Sequence, residues 1–472
     1  MKGRTTIAIA AITGLVLAAC YSPINPYTLL PNRGGPSTSV SIWDGGFANY
    51  DWFTGQVSPF TITTAAQLKG FANIVNGDDG QAVHNFSGET VTLARNINLA
   101  NHAWTPIGND LNPFAGTFNG GSRTITGLSV NLPLTDYVGF FGRVTSFGVV
   151  SNLSISGTVN GNNNVGGVVG RNDGTVENSH NAGTVSGNNN VGGVVGGNIG
   201  VTSMVKNSHN TGTVNGPNNV GGVVGRNDGT VENNHNTGTV NGNNNVGGVV
   251  GWNNGGTVEN SHNAWTVSGS GSQVGGVVGT NSGGTVENSY NTGNVDGSST
   301  VGGVVGWNNG GTVENSYNTG NVSSTIGSAG GVVGNNSGTV ENSYNTGTVS
   351  STIGSAGGVV GLNNAGGTVE NSVSLGLTVA GTTDVGRVAG LNAVGGILTN
   401  NRARADMTPT GVSNANGEDG ESVAVGTGTP QASVFTDWGW SAAIWTIGGN
   451  LGPNALLPRL VGVGGNQDPR LP

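Results

Sequence analysis

The sequence predicts an all-β chain, a parallel β-solenoid of about ten turns. Three observations predict it. First, a phrase ending in Gly recurs as Val-Gly-Gly-Val-Val-Gly and close variants. The phrases close at Gly142, Gly170, Gly196, Gly225, Gly251, Gly279, Gly306, Gly334, Gly361 and Gly390, so the turns are 26–29 residues long. Second, the residues between these phrases are mostly Val and Thr, which suit strands, or Gly, Asn and Ser, which suit corners. Third, nothing in 137–390 repeats with a helical period of about 3.6 residues. Some 27 residues at about 3.3 Å each can wrap once around a narrow core as three short strands. Stacked at about 4.8 Å, ten such turns make a rod roughly 48 Å long. A right-handed parallel β-helix is the expected form. A β-propeller is the rival, but its blades take about 40 or more residues.

The chain starts with Lys2 and Arg4, then an apolar run from Ile7 to Leu17 that ends Leu17-Ala18-Ala19-Cys20. The run is shorter than the roughly 20 residues that span a bilayer and has the pattern of a secretory signal peptide over 1–19. The ending resembles the bacterial lipobox, which implies cleavage before Cys20 and lipidation (palmitate) of its thiol. Loss of two cations with the leader takes the net charge from −9 to −11. Residues 20–40 carry four Pro among Gly and Ser and read as an extended tether.

Residues 41–136 read as the N-terminal cap and first coils. A solenoid exposes its apolar core at both ends and needs caps. Trp43, Phe47, Tyr50, Trp52, Phe53 and Phe60 supply aromatic bulk. Thr64 begins a short N-terminal helix with Leu68, Phe71 and Val75 on one face. Segments near 89–99 and 115–130 read as strands. The repeats occupy 137–399. In 400–472, a polar stretch over 401–430 precedes Asp437-Trp-Gly-Trp440, Trp445 and Pro458-Arg-Leu460, which read as a closing cap.

Composition narrows the function. Of 472 residues 90 are Gly, and 24 acidic residues outnumber 15 basic ones. One Cys permits neither a disulfide framework nor a Cys-based zinc site. The acidic balance gives no basic footprint for nucleic acid, so no nucleic-acid partner is expected. Gly does not fall at every third position, which excludes collagen.

The glycine-closed core phrase, with the following Gly-Thr-Val-Glu-Asn-Ser-Tyr-Asn-Thr-Gly, resembles the GLUG motif of bacterial surface proteins. These include repeat regions of some immunoglobulin A proteases and many lipoproteins. The usual Leu of that motif is Val here, and Phe140 in the first copy. The flanks 64–75 and 115–128 are also similar to the family's usual neighbours. The resemblance implies a surface role more than any reaction.

Aligned copies form vertical columns. Asn178, Asn207, Asn233, Asn260, Asn288, Asn315, Asn342 and Asn371 are expected to form an amide ladder that fixes register. The column from Asn181 to Asn345, Ser374 in the eighth copy, is expected at a corner that tolerates φ > 0. Glu177, Lys206, Glu232, Glu259, Glu287, Glu314, Glu341 and Glu370 should face solvent, because like charges about 5 Å apart repel. A cation ladder on this column is the sharper reading, a solvated face the plainer one. His180, His209, His235 and His262 share a column with Tyr290, Tyr317, Tyr344 and Val373. A slot that accepts Tyr and Val reads as an aromatic stack rather than a metal site.

The residue after each core phrase varies. Arg171, Arg226, Trp252 and Trp307 make it a candidate ligand surface, the two Trp two turns or about 10 Å apart, a spacing that suits sugar rings. Two strings recur at an offset of 55 residues (from 165 to 220 and from 246 to 301), so two-turn units were copied together. No zinc-protease His-Glu-x-x-His, Gly-x-Ser-x-Gly elbow, phosphate loop or calcium loop occurs, and no cofactor is expected. Asp173 and Asp228, two turns apart in the copied string, read as turn residues rather than a glycosidase pair. The expected function is a non-enzymatic surface lipoprotein in the bacterial envelope, anchored through its lipid at the outer membrane or cell surface. Its role is adhesion or envelope interaction, with a host matrix protein or glycan as partner. The alternative is a carbohydrate-binding or carbohydrate-degrading β-helix.

Overall fold

The computed structural model describes residues 40–410 and 419–472. The Cys20 lipidation and the tether lie outside the described residues, except for Val40. The chain winds as a parallel β-solenoid of about 12 turns, because the first coils add to the ten repeats. Strands stack in register from the N-terminal side: Phe60 on Val91, Val91 on Phe118, Phe118 on Val150, Val150 on Val176.

Two sheets carry the repeats. One is a ten-stranded parallel sheet made by the second half of each core phrase, from Phe141–Val144 through Val250–Asn254 to Ala389–Asn392. The other wraps the rest of each turn. Three strands per turn were expected; one turn holds five short ones, Val169–Asn172, Thr175–Glu177, His180–Asn181, Thr184–Ser186 and Asn189–Gly192. Left-handed residues bend the turn: Asn178, with φ 48°, divides two of these strands, and Asn190, with φ 52°, lies within the last.

Val fills the core. Val165, Val168, Val169, Val176 and Val185 of one turn, and their counterparts in the next, are fully buried. Each contributes about 1.5–3 kcal/mol, repeated every turn. The glycines of the core phrase are required by closeness: a Cβ on Gly192 would stand 2.0 Å from the Val195 carbonyl oxygen.

The N-terminal end is closed as its aromatics predict. Helix Ala65–Asn76 starts at Thr64 with a capping box to Gln67 and ends at Gly77 in the left-handed region. Its Leu68, Phe71 and Val75 are fully buried. Trp52, Phe86 and Phe118 surround Phe71 at ring distances of 5.1–6.1 Å, and Phe60 packs on Trp52 at 5.7 Å. Phe47 departs from the expectation: it is 96% exposed and takes no part in the cap.

The C-terminal region does more than close the end. Strand Arg402–Arg404 pairs on Val373–Ser374, and Glu421–Val423 pairs on Arg402–Arg404, which finishes the stack. Residues 432–472 then fold back along the flank as an arm. Phe435, Trp440, Trp445, Leu451, Leu457 and Leu460 form a second core with Tyr290, Tyr317, Tyr344 and Val373. The solenoid's own aromatic column supplies the apolar surface that this arm needs.

Candidate functional site

The outward and inward columns decide what the repeats can do, and they differ from simple alternation. The expected amide ladder at Asn178, Asn207, Asn233, Asn260, Asn288, Asn315, Asn342 and Asn371 is not one. These residues have φ between 48° and 56°. They are corners, and among the described residues no side-chain hydrogen bond joins one amide to the next. Asn tolerates this conformation where other residues lose about 1–2 kcal/mol. A left-handed residue also resets strand alternation, so the next residue points inward. Ser179, Ser208, Asn234, Ser261, Ser289, Ser316, Ser343 and Ser372 are therefore buried. Each after Ser179 accepts a backbone N–H from the preceding turn, as Ser316 Oγ does from Ser289 N at 3.2 Å.

The amide ladders lie elsewhere. Asn181, Asn210, Asn236, Asn263, Asn291, Asn318 and Asn345, expected at a corner, are buried, and each Nδ2 but the last donates to the next Oδ1 at 2.8–2.9 Å. A second ladder was not anticipated. It runs through Asn172, Asn198, Asn227, Asn253, Asn281, Asn308, Asn336, Asn363 and Asn392 at 2.8–2.9 Å. Asn in nine successive copies, one residue past the variable position, was the signal for it. Polar atoms inside a narrow rod must be paired, and these two columns pair them turn to turn.

Outside the ten-stranded sheet, the variable position forms one straight stripe. Register sets Arg143 beside Arg171, then Gly197, Arg226, Trp252, Thr280, Trp307, Asn335, Leu362 and Leu391. The ladder Asn that follows it, fully buried from Asn172 to Asn363, points inward, which turns this residue out. The Arg226 guanidinium lies 4.8 Å from the centre of the Trp252 ring. Asp228 holds it there through a fork, Nε to Oδ1 2.8 Å and Nη2 to Oδ2 3.0 Å. Arg171 lies over Tyr137 at 5.7 Å and bonds Asp173 at 2.9 Å. Asp173 and Asp228 are thus clamps on Arg side chains. Trp252 and Trp307 are half-buried and separated by Thr280, so two strand steps, about 9.6 Å, divide them. Trp252 Nε1 donates to Ser282 Oγ at 3.2 Å, and Thr280 Oγ1 donates to Asn245 Oδ1 at 2.7 Å.

The Glu column is half-exposed and in register, Glu259 beside Glu287 beside Glu314 beside Glu341. Partial burial first, and the neighbouring carboxylates second, push these four carboxyls above their ordinary value. Lys206 interrupts the column and pairs with Glu177 at 3.1 Å. Among the described residues no group of three His, Cys, Asp or Glu is arranged to hold a metal ion.

The aromatic column is a continuous stack. Ring centres from His180 to Tyr344 are 4.0–5.1 Å apart with planes within 12°. Tyr290, Tyr317 and Tyr344 hydroxyls donate to Gly464 O, Gln467 Oε1 and Pro458 O of the arm. Burial pushes all three phenols up, so they stay donors. The arm stops over His262 and leaves His180, His209 and His235 partly open.

The chain carries GLUG-motif repeats: the family model of the GLUG motif matches residues 161–186, 270–296 and 297–323. Over 123 residues the chain is 38% identical to a Gly-rich membrane protein of Evansella cellulosilytica, covering 25% of this chain and 14% of that one. Over 130 residues it is 33% identical to halomucin of Haloquadratum walsbyi, covering 25% of this chain and 1% of that one. The chain therefore spans only a small part of either relative. A solved chain described as an immunoglobulin A1 protease from Bacteroides ovatus aligns over 85% of this chain and 92% of its own. Its identity is 16% and its TM-score 0.25.

Proposed function

We propose that this chain is a non-enzymatic surface repeat protein. A lipid on Cys20 anchors it to the bacterial envelope, and the solenoid presents its ten-stranded face to an adhesive partner, a matrix protein or a glycan. The observation that carries this reading is the stripe itself. Arg171, Arg226, Trp252 and Trp307 stand in register on one sheet, with Arg226 clamped over the Trp252 ring. Such a stripe offers aromatic and guanidinium planes at fixed multiples of the strand spacing, which suits an extended ligand. Names of the relatives, a membrane protein and a halomucin, support an envelope location. Asp173 and Asp228 spend their carboxylates on Arg171 and Arg226, which favours binding over hydrolysis on this face.

A matrix-protein and glycan array tests it. The protein should bind at least one extended partner, and Trp252→Ala with Trp307→Ala should remove that binding. Protease shaving of whole cells tests exposure: cleavage of the solenoid is expected, and complete protection would place it on a periplasmic face.

A further inference from the structure

A second site lies on another face, where the C-terminal arm ends. A groove of about 720 Å³ opens there, lined by Asn207, Asn233, Asn260, His235 and His262, and closed on one side by Gly464–Asn466 of the arm. Three successive turns each contribute one left-handed Asn amide, and two of them also contribute a ring edge, His235 and His262. Asn207 and Asn260 have no side-chain hydrogen-bond partner among the described residues, and Asn233 uses only its Nδ2, on Glu232 Oε1 at 2.9 Å. The groove thus offers unused amide donors and acceptors beside imidazole nitrogens. Its lining holds neither a carboxylate nor a permanent cation. Burial, with neighbouring imidazoles, lowers His209 and His262 to about 4, so the stack is neutral at pH 7.

One repeat position beside the groove breaks its own rule. The column Gly183, Gly212, Gly238, Gly293, Gly320, Gly347 and Gly376 has Trp265 in the fourth turn. A side chain is hard to place there: a Cβ on Gly238 would lie 1.9 Å from Gly212 O. Trp265 nevertheless occupies it, 53% exposed, directly after Ala264 of the groove wall.

Spacing selects the ligand. The two ring centres in the groove, His235 and His262, lie 5.1 Å apart, and the stack continues to His209 with a step of 4.7 Å. An extended peptide rises about 3.3 Å per residue, or about 6.6 Å between side chains on one face, and falls out of step. A pyranose ring with its linkage advances by about one turn. We propose that this groove binds a neutral, extended oligosaccharide with one pyranose ring per solenoid turn, its hydroxyls held by Asn207, Asn233, Asn260 and the His235 edge. The site is independent of the Arg and Trp stripe, which lies on the other sheet.

The test is titration calorimetry of the full chain with neutral and charged oligosaccharides of matched length. His235→Tyr keeps a ring that the same column already accepts and fills the groove with a phenol. Asn233→Gly keeps the φ of 56° and removes the amide. Binding of at least one neutral oligosaccharide is expected, weakened about tenfold or more in both variants and unchanged in Trp252→Ala with Trp307→Ala. Failure of every neutral oligosaccharide to bind would overturn the proposal. So would equal binding by the variants, or capture of extended peptides with the same sensitivity to the variants.

Discussion

Asn236→Ala should be among the most destabilising single changes in the repeats, although it removes only a small polar side chain. Asn236 is fully buried. Its Nδ2 donates to Gly238 O at 2.8 Å and to Asn263 Oδ1 at 2.9 Å; its Oδ1 accepts from Asn210 Nδ2 at 2.9 Å and Gly238 N at 3.2 Å. Each bond contributes about 0.5–1.5 kcal/mol net, and a buried group left unpaired costs about 1–3 kcal/mol. The expected loss is about 3–5 kcal/mol. Asn233→Ala, three residues earlier in the same turn, removes no ladder bond. It places Ala at φ 56° and should cost about 1–2 kcal/mol. Urea titration followed by far-UV circular dichroism compares the two. Equal losses, or a larger loss for Asn233→Ala, would refute the assignment of the ladder to the Asn236 column.

Three other outcomes are expected. Folded His262 stays neutral down to about pH 4, whereas unfolded it takes a proton near its ordinary 6.5. Its contribution is therefore fully present above pH 6.5 and lost as pH falls from 6.5 to 4, a difference of about 3 kcal/mol. Thermal midpoints at pH 7 and pH 5 should show this loss, and His262→Tyr should reduce it; a midpoint that rises at pH 5 contradicts the reading. Tyr344→Phe removes a buried hydroxyl that donates to Pro458 O at 2.7 Å and should weaken the arm by about 1–3 kcal/mol. Limited proteolysis should then cut 432–472 sooner while the solenoid persists. Cys20→Ser should abolish incorporation of radiolabelled palmitate and release the chain from the membrane fraction; unchanged labelling would show that the lipid, if any, is elsewhere.

The fold was legible because ten near-copies repeat one pattern, and a period of 26–29 residues admits few architectures. The ladder was misplaced for a specific reason. Alternation was carried through Asn178, but φ there is 48°, and one left-handed residue moves every later side chain to the other face. The aromatic stack survived that error because His, Tyr and Val in one slot indicate stacking whichever way they face. What no local pattern carried was the arm: Tyr290 meets Gly464 across 174 residues, and only packing brings them together. The Arg and Trp stripe was visible as variation within copies, whereas the Arg226 clamp over Trp252 required the register between two turns.

The central claim is that the ten-stranded face is a contact surface built around Trp252 and Trp307. The most direct measurement is binding of the purified protein to an array of glycans and matrix proteins, beside the Trp252→Ala and Trp307→Ala double variant. The account predicts binding to at least one extended partner, lost in the variant while its circular dichroism stays the same. An array on which the variant keeps every partner that the native protein binds, or no binding to any member of the array, would contradict it.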